Sequence, residues 1–364
     1  MKTGMICVQE SEHVVPGSRY LSGYCLLPKD RLYTDEGIRV IAEFLESFRA
    51  SGLTCINEKI ACWLQDSRDR LPSSGALWIP PKDVVLKAQS KERQITAARQ
   101  AGLPVLPTYI IEQLSYDSKV IPKDDYPLCL RPSGNVRPRF KVKLAKDSRE
   151  LQAIIDETDF DQGRIIAQPF MNLPNLVVHG CRTVKGVDLP FQAFIVPDKF
   201  EGVTLIMKPA PLPDEIKKKC SWFVRAMDIV GPYHFEFIWD GPDRYWFLEI
   251  NSRLGGTTAK ALACGYEEPL TGLTAYGAIG NNRSVPAAAG SDLNVAVTGR
   301  VALCKHFIRS LKGTLSPLDF PQRSRPASAL FFLKSMLICR DEVFAWDDLR
   351  GTAALWKASI SNHQ

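Results

Sequence analysis

The 364-residue chain is predicted to be a mixed protein, α/β in its first part and α+β beyond it. Three observations carry that prediction. Strand-like and helical segments alternate over the first 70 residues, a strand-rich stretch with interspersed helices begins near Leu128, and 45% of the residues are hydrophobic, enough to bury a sizeable core. At roughly 100–200 residues per domain the length allows two or three domains. With 24 Gly and 25 Pro the chain is near background for both, which excludes fibrous and linker-like classes.

Taken in order, Met5–Val8 has the pattern of a short strand. Thr34–Ala50 places Ile38, Ile41, Phe44, Leu45 and Phe48 on one helical face. Leu53–Ile56 reads as a strand and Glu58–Leu71 as a helix, and the Pro/Ser/Gly stretch from Pro72 to Pro81 marks a boundary. A helix over Ser90–Ala101 ends at Gly102, a C-cap signal, ahead of a strand at Thr108–Ile111. Then come a strand (Leu128–Arg131), a basic turn, a strand (Phe140–Leu144), a helix (Ser148–Glu157) and a strand (Arg164–Gln168). Strand-like runs follow at Leu176–His179, Phe191–Val196 and Val203–Met207. The helix Pro213–Ile229 leads into strands Tyr233–Trp239 and Tyr245–Ile250, joined by the turn Asp240–Asp243. Beyond Val285 the pattern weakens and carries no motif.

Several function classes fall away. Ten scattered cysteines form no C-x-x-C and no zinc-clamping pair with histidine, and they read as reduced cytosolic thiols. The first residues run into Gln9, Glu10 and Glu12, unlike a secretory leader, and no uncharged apolar stretch approaches the ~18 residues of a membrane span. The net charge of +6 is local: seven basic side chains against Asp147 lie between Arg131 and Arg149. Phe140 is the single aromatic ring there, so a polyphosphate partner fits that cluster better than nucleic acid, and a solvated basic hairpin fits it equally. There is no Walker A loop, no G-x-G-x-x-G and no G-x-S-x-G elbow.

The chemistry concentrates in the hairpin that carries Glu236, Glu249, Asn251 and Arg253, followed by Gly255-Gly256. In an antiparallel pair joined by a tight turn, Glu236 and Glu249 can lie side by side, with Asn251 on the same face as Glu249. The flanks Phe235, Phe237, Leu248 and Ile250 are apolar, and carboxylates in such strands are costly unless a cation compensates them. Mg²⁺ suits this donor set, because it prefers oxygen ligands and takes one or two carboxylates plus substrate phosphates. Arg253 offers a planar donor fork to a developing phosphoryl charge.

This segment resembles the metal-binding hairpin of the ATP-grasp superfamily, which ends in Glu-x-Asn-x-Arg after an earlier acid on the preceding strand. Other landmarks follow the family's order across roughly residues 18–285. Ser90-Lys91, the helix and Gly102-Leu-Pro-Val-Leu-Pro-Thr108 resemble its lysine, helix and G-x-P-x-P-x-T approach to the nucleotide. Leu128–Ser133 resembles the strand with the second phosphate cation, with Arg131 where lysine is usual. Ile165–Met171 resembles the hinge whose backbone reads adenine, with Pro169 where an acid is common and Asn175 where a ribose-contacting Glu often stands. The family's Gly-rich loop is Gly134-Asn-Val-Arg-Pro-Arg139 here, with one glycine and extra arginines.

The resemblance implies a fold of three parts. Residues 1–85 would be a truncated Rossmann-like pre-ATP-grasp domain, in which the family's first strand and Gly-rich turn are missing. Residues 86–285 would be the two-subdomain ATP-grasp unit, with a small lid at about 112–168, and 286–364 an extension without assigned role. It also implies a cytoplasmic, ADP-forming carboxylate–amine ligase acting through an acyl-phosphate. ATP would be held by Lys91, Arg131, Gln168, Pro169, Phe170, Met171 and Asn175, and Mg²⁺, or Mn²⁺ in its place, by Glu236, Glu249 and Asn251. Asn251 and Arg253 would serve the transferred group. The partners implied are a small-molecule carboxylate and an amine, with no nucleic acid and no membrane; the oligomeric state, a homodimer included, is left open. Two alternatives stand: a non-catalytic ATP-binding protein, and a carboxylase- or kinase-type member.

Overall fold

A computed structural model describes residues 2–9, 17–73, 75–112, 121–134, 140, 142–160, 163–279 and 295–361. In the front layer, β1 (Thr3–Gln9) pairs in parallel with β2 (Leu21–Pro28). Helix α1 (Asp35–Phe48) starts where Thr34 accepts a hydrogen bond from the Gly37 N–H, and its apolar stripe buries Ile38, Ile41 and Leu45. A second parallel pair, β3 (Gly52–Leu53) with β4 (Ala76–Leu77), flanks α2 (Glu58–Asp66), which is capped by Asn57. Helix α3 (Lys82–Gln89) closes the layer. It was not predicted, and it starts directly after the Pro72–Pro81 stretch read as a boundary, since proline suits the start of a helix as well as a loop. Strand β2 was not predicted either, because Ser22 and Gly23 interrupt its apolar alternation.

The next unit begins with α4 (Lys91–Gln100), capped by Ser90 and closed by Gly102 at φ 72°, as the C-cap signal predicts. Strands β5 (Tyr109–Ile111), β6 (Leu128–Pro132) and β7 (Lys143–Ala145), helix α5 (Ser148–Asp156) and strand β8 (Ile165–Pro169) follow. The strands form an antiparallel sheet ordered β5-β8-β6-β7, with Leu128, Leu130, Leu151 and Ile165 in its core. The strand expected at Phe140–Leu144 is found at Lys143–Ala145. Positions 135–139 and 141 of the basic turn lie outside the described residues.

A larger sheet carries β9 (Asn175–Arg182), β10 (Gln192–Phe200) and β11 (Val203–Ala210), then α6 (Asp214–Ala226), β12 (Gly231–Trp239) and β13 (Tyr245–Asn251). Helices α7 (Thr258–Ala263) and α8 (Glu268–Ala275) pack behind it. The last part adds β14 (Val297–Thr298), α9 (Arg300–Lys312), α10 (Arg325–Ile338), β15 (Arg340–Asp341) and α11 (Leu349–Ser361). The sheet order is β13-β12-β9-β10-β11-β14-β15, so the C-terminal residues extend the same sheet at its far edge. All ten cysteines are free, and among the described residues no helix is long and apolar enough to cross a membrane.

The largest core lies under β12 and β13, where Phe223, Tyr233, Phe235, Phe237 and Phe247 are fully buried, with Phe235 edge-on to Phe223 and stacked on Phe237. This core sets the level of the hairpin that carries the acidic residues. Phe235→Ala should lower unfolding free energy by about 3–5 kcal/mol in a urea titration; a loss below about 1 kcal/mol would show that this face is not the core on which the hairpin rests.

Candidate active site

Strands β12 and β13 are antiparallel and pair Glu236 directly with Glu249 and His234 with Asn251. Regular alternation would put Phe247 on the same face as Glu249. A bulge at Leu248 prevents this, so that Phe247 meets Phe237 in the core while Glu249 meets Glu236 on the opposite face. The apolar partner of Ile250 is therefore Phe247, not the Leu248 that simple alternation suggests.

Two cations reach Glu249 from other units. Lys91, the first residue of α4, places Nζ 2.6 Å from Glu249 Oε2, and Arg131 on β6 lies 3.6 Å from the same oxygen. Burial alone would raise the Glu249 pKa, but Lys91 and Arg131 outweigh it, with hydrogen bonds from Lys91 and Asn251, and hold the carboxyl well below its ordinary range. Among the described residues Glu236 has no lysine or arginine in contact. Burial first, and the Glu249 charge second, push it up to about 7.

The Asn251 amide nitrogen lies 3.0 Å from Glu249 Oε1 and 3.2 Å from His234 Nε2, so both of its hydrogens are committed and its oxygen is left for a ligand. His234 Nε2 must then accept, which places the imidazole proton on Nδ1. Burial, followed by the neighbouring His179, lowers the His234 pKa to about 3, so the ring is neutral, and Nδ1 has no partner among the described residues. An opposed carboxylate pair short of positive charge, beside a free amide oxygen, fits a hard divalent cation.

The remaining residues named from the sequence surround this pair. Arg131 Nη2 donates to Gln168 Oε1 at 2.7 Å, and Gln168 Nε2 donates to Thr108 Oγ1 at 2.9 Å, so the Gln168 side chain is spent within the wall. At the hinge Pro169 has no N–H, and the Phe170 N–H donates to the Pro127 carbonyl at 2.7 Å. Among the described residues the first hinge N–H without a backbone partner is that of Met171. Asn175 Oδ1 accepts from Lys199 Nζ at 3.4 Å. Arg253 is engaged by the front layer, with its Nε 2.5 Å from Glu58 Oε1. A cleft of about 280 Å³ is walled by Glu58, Lys91, Arg131, Glu249, Asn251 and Arg253.

Three features were missed from the sequence. Glu58 opens a helix far from the hairpin and has no local signature. Lys199 follows Pro197-Asp198, a turn-like pair, yet β10 continues through it. Behind His234, the buried His179 bonds Glu268 at 2.8 Å and Thr257 at 3.1 Å, and spacing alone does not bring these residues together.

No family model and no curated protein matches the sequence. Solved structures do. Biotin carboxylase from Campylobacter jejuni aligns with a TM-score of 0.61 over 81% of this chain and 69% of that one, at 14% identity. N5-carboxyaminoimidazole synthetase from Staphylococcus aureus, complexed with ADP, gives 0.55 over 75% and 76%, at 15% identity. The N5-carboxyaminoimidazole ribonucleotide synthetase of Thermus thermophilus gives 0.55 over 77% and 72%, also at 15% identity. The chain has the ATP-grasp fold. At these identities the likeness is one of fold.

Because Glu236 is held up to about 7, a metal ion that uses it must displace a proton near neutrality. Mn²⁺ titrated calorimetrically in buffers of different ionisation enthalpy should release close to one proton at about pH 6 and little at about pH 8, with affinity rising across that interval. Affinity independent of pH would place the ion elsewhere.

Proposed function

We propose that this ATP-grasp chain is an ATP-dependent carboxylate–amine ligase that forms an amide through an acyl-phosphate and releases ADP. The observation that carries the reading is the Glu236–Glu249 pair with the free Asn251 oxygen, in which Glu249 and Asn251 line a cleft also walled by Lys91, Arg131 and Arg253. Glu236, Glu249 and Asn251 would hold a magnesium ion, whose chemistry is neutralisation of phosphate oxygens. Lys91 and Arg131 now face Glu249; both can turn to phosphate oxygens without backbone movement, since each already lines the cleft. The hinge Gln168–Met171 presents backbone groups to adenine, with the Met171 N–H as the available donor.

In the first step a substrate carboxylate oxygen attacks the γ-phosphorus, and the bond to the β,γ-bridging oxygen breaks with its electrons to ADP. In the second the amine nitrogen attacks the acyl carbon and loses a proton, and inorganic phosphate leaves. Arg253, released from Glu58, can steady the phosphoryl oxygens through both steps. Ten free thiols support a reducing, cytoplasmic setting and small-molecule substrates. The proposed division places the front domain at 1–85, the ATP-grasp unit at 86–285 and the extension at 286–364. The likeness to a biotin carboxylase favours one second reading, in which bicarbonate is the carboxylate.

Glu249→Gln should lower substrate-dependent ADP release by at least about 100-fold while leaving the circular dichroism spectrum unchanged. Full activity in this variant would remove the ligase assignment. A screen of carboxylates with amines, run beside bicarbonate, separates the two readings.

A further inference from the structure

Lys199 is a buried ammonium without a counter-ion in contact among the described residues. It is 8% exposed, and among those residues its one hydrogen-bond acceptor is Asn175 Oδ1, at 3.4 Å. An ammonium carries three donors, so most of its capacity is unspent. The titratable groups that act on it are the Glu236 carboxyl of the metal hairpin and the Cys129 thiol on β6, two residues before Arg131. Lys199 therefore belongs to the space between the large sheet and the strand that supplies Arg131.

The C-terminal segment holds it there. Lys199 N–H donates to the Phe320 carbonyl at 2.7 Å, and Phe320 N–H donates back to the Lys199 carbonyl at 3.1 Å. The Phe320 ring centre lies 5.5 Å from Lys199 Nζ, a cation–π distance. The same strap reaches the hinge, where Asn172 Nδ2 donates to the carbonyls of Pro317 and Asp319, each at 3.0 Å. Asp319 is fully buried and accepts from the N–H groups of Glu201 and Ser316, so the strap is anchored at both ends of its turn. A desolvated cation whose one hydrogen-bonding neighbour among the described residues is a neutral amide, kept in register by a separate segment, is arranged to meet an anionic oxygen.

We infer that Lys199 and Asn175 form an anion subsite that takes a phosphate oxygen of the bound nucleotide, and that the Pro317–Phe320 strap exists to hold it. This rests on the nucleotide-binding reading above and adds a third cation to Lys91 and Arg131. It also gives the C-terminal extension a part in the site.

Calorimetric titrations of the full chain with a non-hydrolysable Mg·ATP analogue and with adenosine test it. Lys199→Met should weaken the analogue by about tenfold or more and leave adenosine unchanged. Lys199→Arg should recover part of the loss, and Phe320→Ala should show a smaller loss of the same selectivity. Unchanged affinity for the analogue in Lys199→Met, or an equal loss for adenosine, overturns the subsite. A folded wild-type protein that binds neither compound overturns the nucleotide reading itself, and the subsite with it.

Discussion

Two carboxylates that face one another across an antiparallel strand pair, on a sheet otherwise filled with phenylalanine, set the terms for the rest of the molecule. Like charges directly opposite are repulsive, and burial adds a desolvation cost to each. The chain meets that cost from distant positions. Lys91 lies 158 residues before Glu249 and opens a different unit, while Arg131 arrives on the small sheet. The apposition of α4, the small sheet and the large sheet is thus an electrostatic requirement as well as a packing outcome. Gln94 adds a neutral tie: it accepts from the Ile250 N–H and donates to the Ile250 carbonyl, fixing α4 along the strand that bears Glu249.

The compensation is uneven, and the unevenness has chemical content. Glu249 receives both cations and an amide, whereas Glu236 is left raised toward neutrality. A protein that needed only a stable core would be better served by an apolar pair here. What the arrangement holds instead is one anion, one carboxyl ready to become an anion and one amide oxygen, a set whose deficit matches a single divalent cation. Arg253 shows the same logic outside the hairpin. Its guanidinium is satisfied by Glu58 of the front layer, so that layer contributes a wall to the cleft and couples it to whatever displaces Glu58.

Most of the strands and helices around the site were legible because their periods are clean: α1, α5, β12 and β13 follow apolar patterns, and both helices have capping residues at the expected places. The acidic pair was legible for the same reason, since a tight turn between two alternating strands leaves few registers. Glu58, Lys199 and the His179–Glu268 contact were not, because each depends on tertiary apposition and has no spacing rule. Lys199 shows the limit clearly. Pro197-Asp198 has turn chemistry and lies where the register shifts, but β11 pairs on through Phe200 and Phe320 bridges Lys199, so pairing overrides the local preference. The C-terminal strap was illegible in a different way, as its contribution is largely made through backbone carbonyls that any sequence could supply.

The bulge at Leu248 explains how one strand can serve both the core and the chemistry. Without it the side-chain period of two would send Phe247 and Glu249 to the same face. Either an aromatic ring would then enter the cleft or a carboxylate would enter the aromatic core. With one extra residue, Phe247 stays against Phe223 and Phe237, and Glu249 turns to Glu236. The same extra residue carries Asn251 into line with His234, where its amide is oriented by Glu249 and its oxygen is freed. Leu248 is the residue without a partner in that register, so the bulge is the local device through which core and cleft coexist on a single hairpin.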